Sequence, residues 1–292
     1  MPFGFLQASP ESVNDEWKYC SGLNIADDSI MGFAQNHLNG TGCPDLGDVL
    51  IFPFSGDVKN GIYKSAYDKA TQTASPAYYK VKLTDSDIDV EVTATQRTAY
   101  YVCTYNSDAP ARMLLDMQSG VVYNQDHLKT HVLYADMNMP DNWTITGHQE
   151  VKNWVRRHFF YVVKFDKPYT VKEILPAREV ALSTVGIEVA QSALLSESLD
   201  WDFEAVKKES QDLWRELLSK VSVSGTKEQK TNFYTSLYHL YIQPNDIADI
   251  DGKYRGVNDS VFVSKSGTYY STISLWDYYR ASNTLYTIYI PK

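Results

Sequence analysis

The sequence predicts a mainly β protein, an antiparallel β-sandwich followed by helices. From about residue 45 to residue 190, apolar and polar residues alternate with a period of two, which is typical of half-buried strands. Clusters of turn-forming residues separate these segments without an intervening helical pattern, and this favours an antiparallel sandwich over a parallel sheet. After Glu197 the apolar residues recur with the 3.6-residue period of a helix.

The strands that this pattern predicts are short. The clearest ones comprise residues 79–83, 88–92, 100–105, 131–134 and 159–165. Turn clusters that contain Asn, Asp and Pro follow two of them, at residues 106–110 and 139–142. No repeat of fixed period accompanies the strands.

Two helices and the opening of a third follow the strands. The first helix carries its apolar residues on one stripe, which comprises Phe203, Val206, Leu213, Trp214, Leu217 and Leu218. The second begins at Thr226, whose spacing to Gln229 is that of a capping box, and ends before Pro244. Residues 245–275 return to turns and short extended segments, and residues 274–282 predict another helix.

Length and composition exclude several classes of protein. A chain of 292 residues, 43% of them hydrophobic, can bury a sizeable core in one large domain or two smaller ones. A net charge of -9 argues against nucleic acid as a partner, because phosphate-binding surfaces need clustered Lys and Arg. No apolar run approaches the roughly 18 residues of a membrane-spanning helix. The three cysteines show no CxxC spacing, so neither a zinc knuckle nor a disulfide framework is indicated.

Residues 32–48 predict a loop that holds a ligand. Gly40 and Gly42 permit backbone angles that other residues avoid, and a glycine turn lets backbone polar groups approach a ligand closely. The alternative is a tight turn in which Asp45 and Asp48 cap neighbouring N–H groups, and the pattern alone favours it. A phosphate cradle is excluded because the P-loop lysine is absent and the carboxylates repel phosphate.

A second candidate site lies in residues 274–280, where an aromatic ring, a carboxylate and a guanidinium group occupy about one helical turn. Asp277 accepts hydrogen bonds from sugar hydroxyls, Arg280 donates in a fork, and Trp276 stacks on the apolar face of a sugar ring. The alternative is an ion pair between Asp277 and Arg280 on a solvated helix face, with Trp276 packed inward. The pattern alone again favours the alternative.

Other catalytic motifs are weak or missing. No pair of carboxylates identifies itself as the acid and base of a glycosidase. Residues 246–252 are acidic but lack the order of an EF-hand loop, so a surface turn is predicted there. The six histidines show no HExxH spacing and no Gly-x-Ser-x-Gly occurs, which excludes zinc proteases and serine hydrolases. The sequence therefore leaves any metal ligands unassigned.

Several motifs, taken in order, resemble glycoside hydrolase family 92, the calcium-dependent exo-α-mannosidases. The matching blocks are residues 2–10, 19–22, 32–48, 91–97, 233–239, 251–254 and 274–280. The resemblance implies an N-terminal β-sandwich, a helical linker and the start of a catalytic (α/α)6 toroid. These three parts would comprise residues 1–192, 193–224 and 225–292.

The resemblance also implies an activity and a site. Family members remove terminal mannose from α-mannosides such as N-glycans or mannan, with inversion of configuration and a bound Ca²⁺. For this chain the expected substrate is an α-1,2-linked mannoside. Their mannose pocket lies between the two domains. The sugar-binding residues carried over are Gly42, Cys43, Trp276, Asp277, His37 and Arg280.

The family's acid, base and main calcium ligands lie farther along the toroid, so no catalytic residue is predicted here. We expect a fragment that lacks most of the toroid, with the remainder in cis or on a separate chain. Its partner would be a mannose-containing glycan. Localisation stays open, with a periplasmic or secreted bacterial protein expected if a preceding segment carries a signal.

Two classes of function remain open from the sequence. The chain is either part of an exo-α-mannosidase or a non-catalytic β-sandwich that binds carbohydrate or packs against a partner. Both predict affinity for sugars. We further expect residues 32–48 and 274–280 to converge on one pocket.

Overall fold

A computed structural model describes the chain at residues 1–12, 19–39, 45–57, 63–121, 132–153, 155–169, 177–197 and 202–290. Within these ranges most regular structure is strand, and every strand pairing is antiparallel. The predicted fold class, a mainly β sandwich followed by helices, is confirmed.

The described residues form two main sheets. The smaller one has the order β1-β3-β4-β9 and comprises β1 (Ser9–Glu11), β3 (Gly32–Ala34), β4 (Leu50–Ser55) and β9 (Ala111–Asp116). The larger one comprises β2 (Ser29–Ile30), β5 (Ser65–Ser75), β6 (Tyr78–Leu83), β7 (Ile88–Ala94), β8 (Thr98–Tyr105), β10 (Val132–Asn138), β11 (Thr144–Lys152), β12 (Arg156–Phe165) and β13 (Ala177–Ser183). Its order is β10-β11-β12-β13-β8-β7-β6-β5-β2, so β10 and β2 are its edges in the described part.

The core lies between the two sheets, as the period-two pattern requires. Ile88, Val90 and Val92 of β7 are buried, while the residues between them are half-buried. The Phe33 ring of the small sheet stands edge-on to Tyr101 of the large sheet at a centroid distance of 6.1 Å. Each such side chain contributes about 1.5–3 kcal/mol by burial, so this interface holds the sandwich together.

The helices follow the sandwich. They are α1 (Ile187–Glu197), α2 (Phe203–Ser219), α3 (Lys227–Leu240), α4 (Leu275–Tyr278) and α5 (Ser282–Tyr289). The predicted capping box of α3 is confirmed, because Thr226 Oγ1 accepts from the Gln229 N–H at 3.2 Å and Gln229 Oε1 accepts from the Thr226 N–H at 3.0 Å. None of the described helices has the length and apolar character needed to cross a membrane.

Four short strands precede α4. They are β14 (Asn245–Asp246), β15 (Lys253–Arg255), β16 (Val261–Val263) and β17 (Tyr270–Ser271), paired as β14 with β17 and β15 with β16. These strands confirm the predicted short extended segments between residues 245 and 275.

The predicted surface turn at residues 246–252 is confirmed only at its tip, where Ile250 and Asp251 are exposed and the Gly252 N–H donates to the Asp249 carbonyl at 2.8 Å. The residues before the tip pack against the sandwich instead. Asp249 is only 1% exposed. The Ser183 hydroxyl donates to Asp249 Oδ2 at 2.7 Å, and Arg97 Nε donates to the Ala248 carbonyl at 2.9 Å. Both donors belong to the sandwich, and they supply the buried segment with partners that the local sequence does not show.

The first residues of the chain join the sandwich to the helices. The Phe3 N–H donates to the Tyr241 carbonyl at 2.8 Å, and the Phe3 carbonyl accepts from the Asp246 N–H at 2.9 Å. Two residues later, the Phe5 N–H donates to Gln96 in the β7–β8 turn at 3.0 Å. The Phe3 ring packs edge-on against Tyr241, Tyr270 and Tyr286. This segment therefore positions the helical core against one end of the sandwich.

Candidate functional site

The predicted ligand loop, residues 32–48, is closed by pairing between its two ends. His37 and Leu46 form an isolated antiparallel bridge, and the Gly47 N–H donates to the Asn36 carbonyl at 3.0 Å. Gly47 has a φ of +80°, a left-handed conformation that favours glycine. The two ends of the loop are therefore held together by backbone pairing.

Residues 40–44, between these paired ends, lie outside the described residues. Gly42 and Cys43, two of the predicted sugar-binding residues, are among them, so their role stays a prediction. The described positions nearest to them are Asn39 before the gap and Asp45 after it.

Asn39 is tied to the segment that follows α3. With its nitrogen facing the Asn39 carbonyl, the buried Gln243 amide donates to that oxygen at 2.7 Å and accepts from the Asn39 N–H at 3.0 Å. The Asn39 side chain donates to Gln7 Oε1 at 2.8 Å, and Gln7 Nε2 in turn donates to the Ile242 carbonyl at 2.7 Å. These bonds hold the start of the loop against the helical region.

His37 lies inside the molecule, next to a carboxylate. Its Nε2 is 2.6 Å from Glu11 Oε1, and its Nδ1 is 3.0 Å from the Gln7 carbonyl oxygen. Burial by itself lowers the pKa of His37, but the Glu11 charge and these hydrogen bonds outweigh burial, and the pKa of His37 is raised. The ring nitrogens therefore serve an internal ion pair, and the sugar-binding role of His37 stays a prediction.

The two loop carboxylates share one arginine. Arg157 of β12 lies 2.7 Å from Asp45 Oδ1 and 3.3 Å from Asp48 Oδ2. Burial raises the pKa of Asp45, and Arg157 offsets part of that effect. Asp45 also accepts from the Leu46 N–H at 2.9 Å, so the capping alternative holds for this residue. No local pattern indicates Arg157, because it lies more than 100 residues after Asp45 and Asp48 along the chain.

Residues 274–280, the second predicted site, do not have the arrangement of the alternative, an ion pair between Asp277 and Arg280 with Trp276 packed inward. Trp276 is 86% exposed and does not pack inward. Arg280 Nε donates to the Tyr279 hydroxyl at 2.9 Å, and no ion pair joins Arg280 to Asp277. Asp277 is exposed, and no described residue donates a hydrogen bond to its carboxylate. This carboxylate is therefore available to a ligand.

Asn39 and Asp277 border the same cavity, which we call the Asp277 cavity. It has a volume of about 610 Å³. Its described lining comprises Ser21, Asn39, His239, Leu240, Ile242, Gln243, Ser274, Asp277, Tyr278 and Ser282. Residues 32–48 and 274–280 thus do meet at one cavity, whereas His37, Trp276 and Arg280 are not in its lining.

The Asp277 cavity is rich in hydroxyl and amide groups but poor in carboxylates. Of the described residues that line it, Asp277 alone is acidic. Such a lining suits a neutral ligand with many hydroxyl groups. Acid–base hydrolysis of a glycoside needs a second carboxylate, which this lining does not supply.

Clustered acidic side chains, which bind calcium in many proteins, do not occur among the described residues. Calcium takes six to eight oxygen ligands. Within the described ranges, no group of three or more His, Cys, Asp or Glu side chains is arranged to hold a metal ion. The buried carboxylates of the loop are instead paired with Arg157.

The fold and the cavity define a β-sandwich protein with a cavity beside its helical region. The model of the glycosyl hydrolase family 92 N-terminal domain matches residues 1–211, and that of the family 92 catalytic domain matches residues 189–292. The chain therefore belongs to glycoside hydrolase family 92, as the motifs predicted. No curated protein gives a significant sequence match.

Solved structures of the family show the same fold. The family GH92 α-mannosidase BT3965 from Bacteroides thetaiotaomicron superposes with a TM-score of 0.89 at 27% identity, over 98% of this chain and 44% of that one. BT3965 has also been solved in complex with mannoimidazole. The inverting mannosidase BT2199 of the same species, at 18% identity, matches with a TM-score of 0.78 over 98% of this chain and 42% of its own. The 292 residues thus span less than half the length of these enzymes.

Proposed function

We propose that residues 1–292 form one wall of the active site of an exo-α-mannosidase that removes terminal mannose from α-mannosides. The observation that carries this proposal is the Asp277 cavity, which joins the two segments that the family resemblance had singled out. The 27% identity to the α-mannosidase BT3965 and the complex of BT3965 with mannoimidazole support a mannose-type ligand.

The cavity has suitable groups for a terminal sugar. The unpaired Asp277 carboxylate accepts hydrogen bonds from neighbouring hydroxyls, and charge-assisted bonds of this kind are about twice as strong as neutral ones. Ser274 and Tyr278 add hydroxyl groups to the lining. Gly42, Cys43, Trp276, Arg280 and His37 stay in the proposal as sugar-binding candidates from the family pattern.

Catalysis requires groups beyond these. An inverting glycosidase uses two carboxyl groups about 6.5–9.5 Å apart, with one as acid and the other activating water. Because the described lining offers one carboxylate, we place the acid, the base and the Ca²⁺ ligands in the part of the family catalytic domain that these 292 residues do not match, in cis or on a separate chain. An α-1,2-linked mannoside of an N-glycan or mannan is the proposed substrate.

A second function, carbohydrate binding without catalysis, is favoured by the presence of a single carboxylate, that of Asp277, in the described lining. A cavity with one acceptor carboxylate and several hydroxyl groups would hold mannose without cleaving it. The chain would then act as a carbohydrate-binding module. Both functions require that the Asp277 cavity binds mannose.

Calorimetric titration with methyl α-D-mannoside tests that requirement. We compare the wild type with Asp277→Ala and with Asp108→Ala, an exposed aspartate in a distant turn of the sandwich. Loss of a hydrogen bond to a charged group costs about 1.5–3 kcal/mol, so Asp277→Ala should weaken binding about 10- to 100-fold and Asp108→Ala should not change it. Equal affinity of all three proteins, or no binding by the wild type, would refute the proposal.

A further inference from the structure

The Gln243 side chain joins the helical region to the wall of the Asp277 cavity. Gln243 is 4% exposed, and its amide donates to the Asn39 carbonyl at 2.7 Å and accepts from the Asn39 N–H at 3.0 Å. Asn39 lines the cavity and is the last described residue before residues 40–44. One side chain therefore holds both backbone polar groups of a residue in the cavity wall.

Backbone pairing does not extend as far as Asn39. The bridge between His37 and Leu46 lies two residues earlier, and no described backbone group bonds to the N–H or the carbonyl of Asn39. A glutamine amide presents a donor and an acceptor side by side, as the backbone of a neighbouring strand does. Gln243 thus takes the place of a strand where the pairing of the loop stops.

A second glutamine completes the connection. Gln7 Oε1 accepts from the Asn39 side chain at 2.8 Å, and Gln7 Nε2 donates to the carbonyl of Ile242, the residue before Gln243, at 2.7 Å. Gln7 and Gln243, which we call the amide clamp, therefore hold the side chain and the backbone of Asn39 against the same segment. No described residue donates to Asn39 Oδ1, so this oxygen is available to a hydroxyl group in the cavity.

The amide clamp lowers the cost of binding a ligand that contacts Asn39. If the backbone of a wall residue is free, the ligand has to order it, which corresponds to a factor of about 5 to 30 in affinity for one residue. The clamp removes this cost because the protein itself holds Asn39. The effect requires no contact between the glutamines and the ligand.

From this geometry we propose that Gln243, together with Gln7, is a positioning residue for sugar binding, which acts through Asn39. The inference rests on the proposed function, in which the Asp277 cavity binds terminal mannose. Gln243 lies outside the motifs that carry the family resemblance. It therefore gives this chain a determinant of affinity that those motifs do not contain.

Gln243→Glu tests the proposal, because its effect should depend on pH. A protonated carboxyl group has a donor and an acceptor in the places of the amide groups, whereas the ionised group has two acceptors and repels the Asn39 carbonyl oxygen. Burial and that oxygen both raise the pKa of a carboxyl group at this position, so the variant should be protonated at pH 5. The clamp should then weaken as the pH rises to 9.

Gln7→Ala and Gln149→Ala complete the set. Gln7→Ala removes the other half of the clamp without adding a charge. Gln149→Ala is the matched control, because Gln149 is a fully buried glutamine that donates to the Met117 carbonyl at 2.8 Å and does not line the cavity. Melting curves verify that each variant folds.

Calorimetric titration with methyl α-D-mannoside at pH 5 and pH 9 measures the effect. The wild type at each pH corrects for the effect of pH on Asp277 and His239, which line the same cavity. Relative to the wild type, we expect Gln243→Glu to bind within about twofold at pH 5 and about 5- to 30-fold more weakly at pH 9. Gln7→Ala should bind about 5- to 30-fold more weakly at both pH values, and Gln149→Ala should bind as the wild type does.

The outcomes separate this inference from the proposed function. If the affinity of Gln243→Glu relative to the wild type is the same at pH 5 and pH 9, the positioning role is refuted, and the proposed function stands if Asp277→Ala still weakens binding. Equal weakening by Gln149→Ala would also refute the role, because a general loss of stability would then explain the effect. Absence of mannose binding by the wild type overturns the proposed function and this inference with it.

Discussion

Replacing Asp249 with asparagine tests how strongly the fold opposes ionisation of a buried carboxyl group. Asp249 is 1% exposed, and the Ser183 hydroxyl donates to its Oδ2 at 2.7 Å. Its Oδ1 is buried and has no hydrogen-bond partner among the described residues. Burial raises the pKa of Asp249 to about 7, although the Ser183 hydrogen bond and the Arg97 charge lower it in part.

The size and sign of the effect follow from this pKa. The shift from 3.8 to about 7 is about three units, and at 1.36 kcal/mol each it corresponds to about 4 kcal/mol. The folded state holds the proton more tightly than the unfolded state, so stability is greatest below about pH 4 and falls as the pH rises to about 7. Asparagine carries no charge at any pH. We expect Asp249→Asn to stabilise the protein by about 1–2 kcal/mol at pH 5 and by about 4 kcal/mol at pH 8.

Urea unfolding followed by far-ultraviolet circular dichroism at pH 5 and pH 8 measures this difference. Asp251→Asn is the control, because Asp251 is partly exposed and lies 2.7 Å from Lys253. Burial acts to raise the pKa of Asp251, but its bonds to Lys253 outweigh burial and lower that pKa, so neutralising it should cost a little stability. A gain for Asp249→Asn that is equal at the two pH values, or a loss at both, would refute the reasoning.

Three further substitutions test buried contacts near the site and in the sandwich. Glu11→Gln leaves the charge of His37 unpaired and should lower the free energy of unfolding in urea by about 3 kcal/mol at pH 5. The loss should be smaller at pH 8, because His37 without its partner is neutral there. An equal loss of stability at the two pH values would contradict the ion pair. Gly147→Ala places a methyl group against the Tyr161 hydroxyl and should cost about 1–3 kcal/mol, so an unchanged melting temperature would contradict the packing. Arg157→Met leaves the carboxylates of Asp45 and Asp48 buried without their cation and should lower the free energy of unfolding by about 3–5 kcal/mol. Neutralising one of the two carboxylates in the same protein should restore part of that stability. A double variant with no recovery would contradict the ion pairs.

The sandwich was largely predictable from the sequence because its strands alternate cleanly. The segment predicted at residues 79–83 is β6, and the one at residues 88–92 lies within β7. The first part of helix α1 was not predicted, since the helical linker implied by the resemblance began only at residue 193, although the buried residues Ala190, Ala193 and Leu194 have helical spacing. The helical spacing was missed because the period-two strand pattern was taken to continue to about residue 190.

The site was predictable only where its residues are close together in sequence. Local motifs located the loop and the Asp277 segment, and the structure places both at one cavity. The pairing of Arg157 with Asp45 and the burial of Asp249 depend on contacts between distant segments, and no local pattern reveals them. The orientation of Trp276 and Arg280 depends on packing for the same reason.

Mannose release from α-1,2-mannobiose tests the central claim most directly. The assay compares the 292-residue chain with a polypeptide that also carries the remainder of a family 92 catalytic domain, each with calcium and with a chelator. We expect no release by the chain alone, because loss of an acid or base costs about 10²- to 10⁴-fold, and chelator-sensitive release by the longer polypeptide. Chelator-sensitive release by the 292-residue chain alone would show that it contains the acid and base, and would contradict the assignment of these residues to one wall of the site.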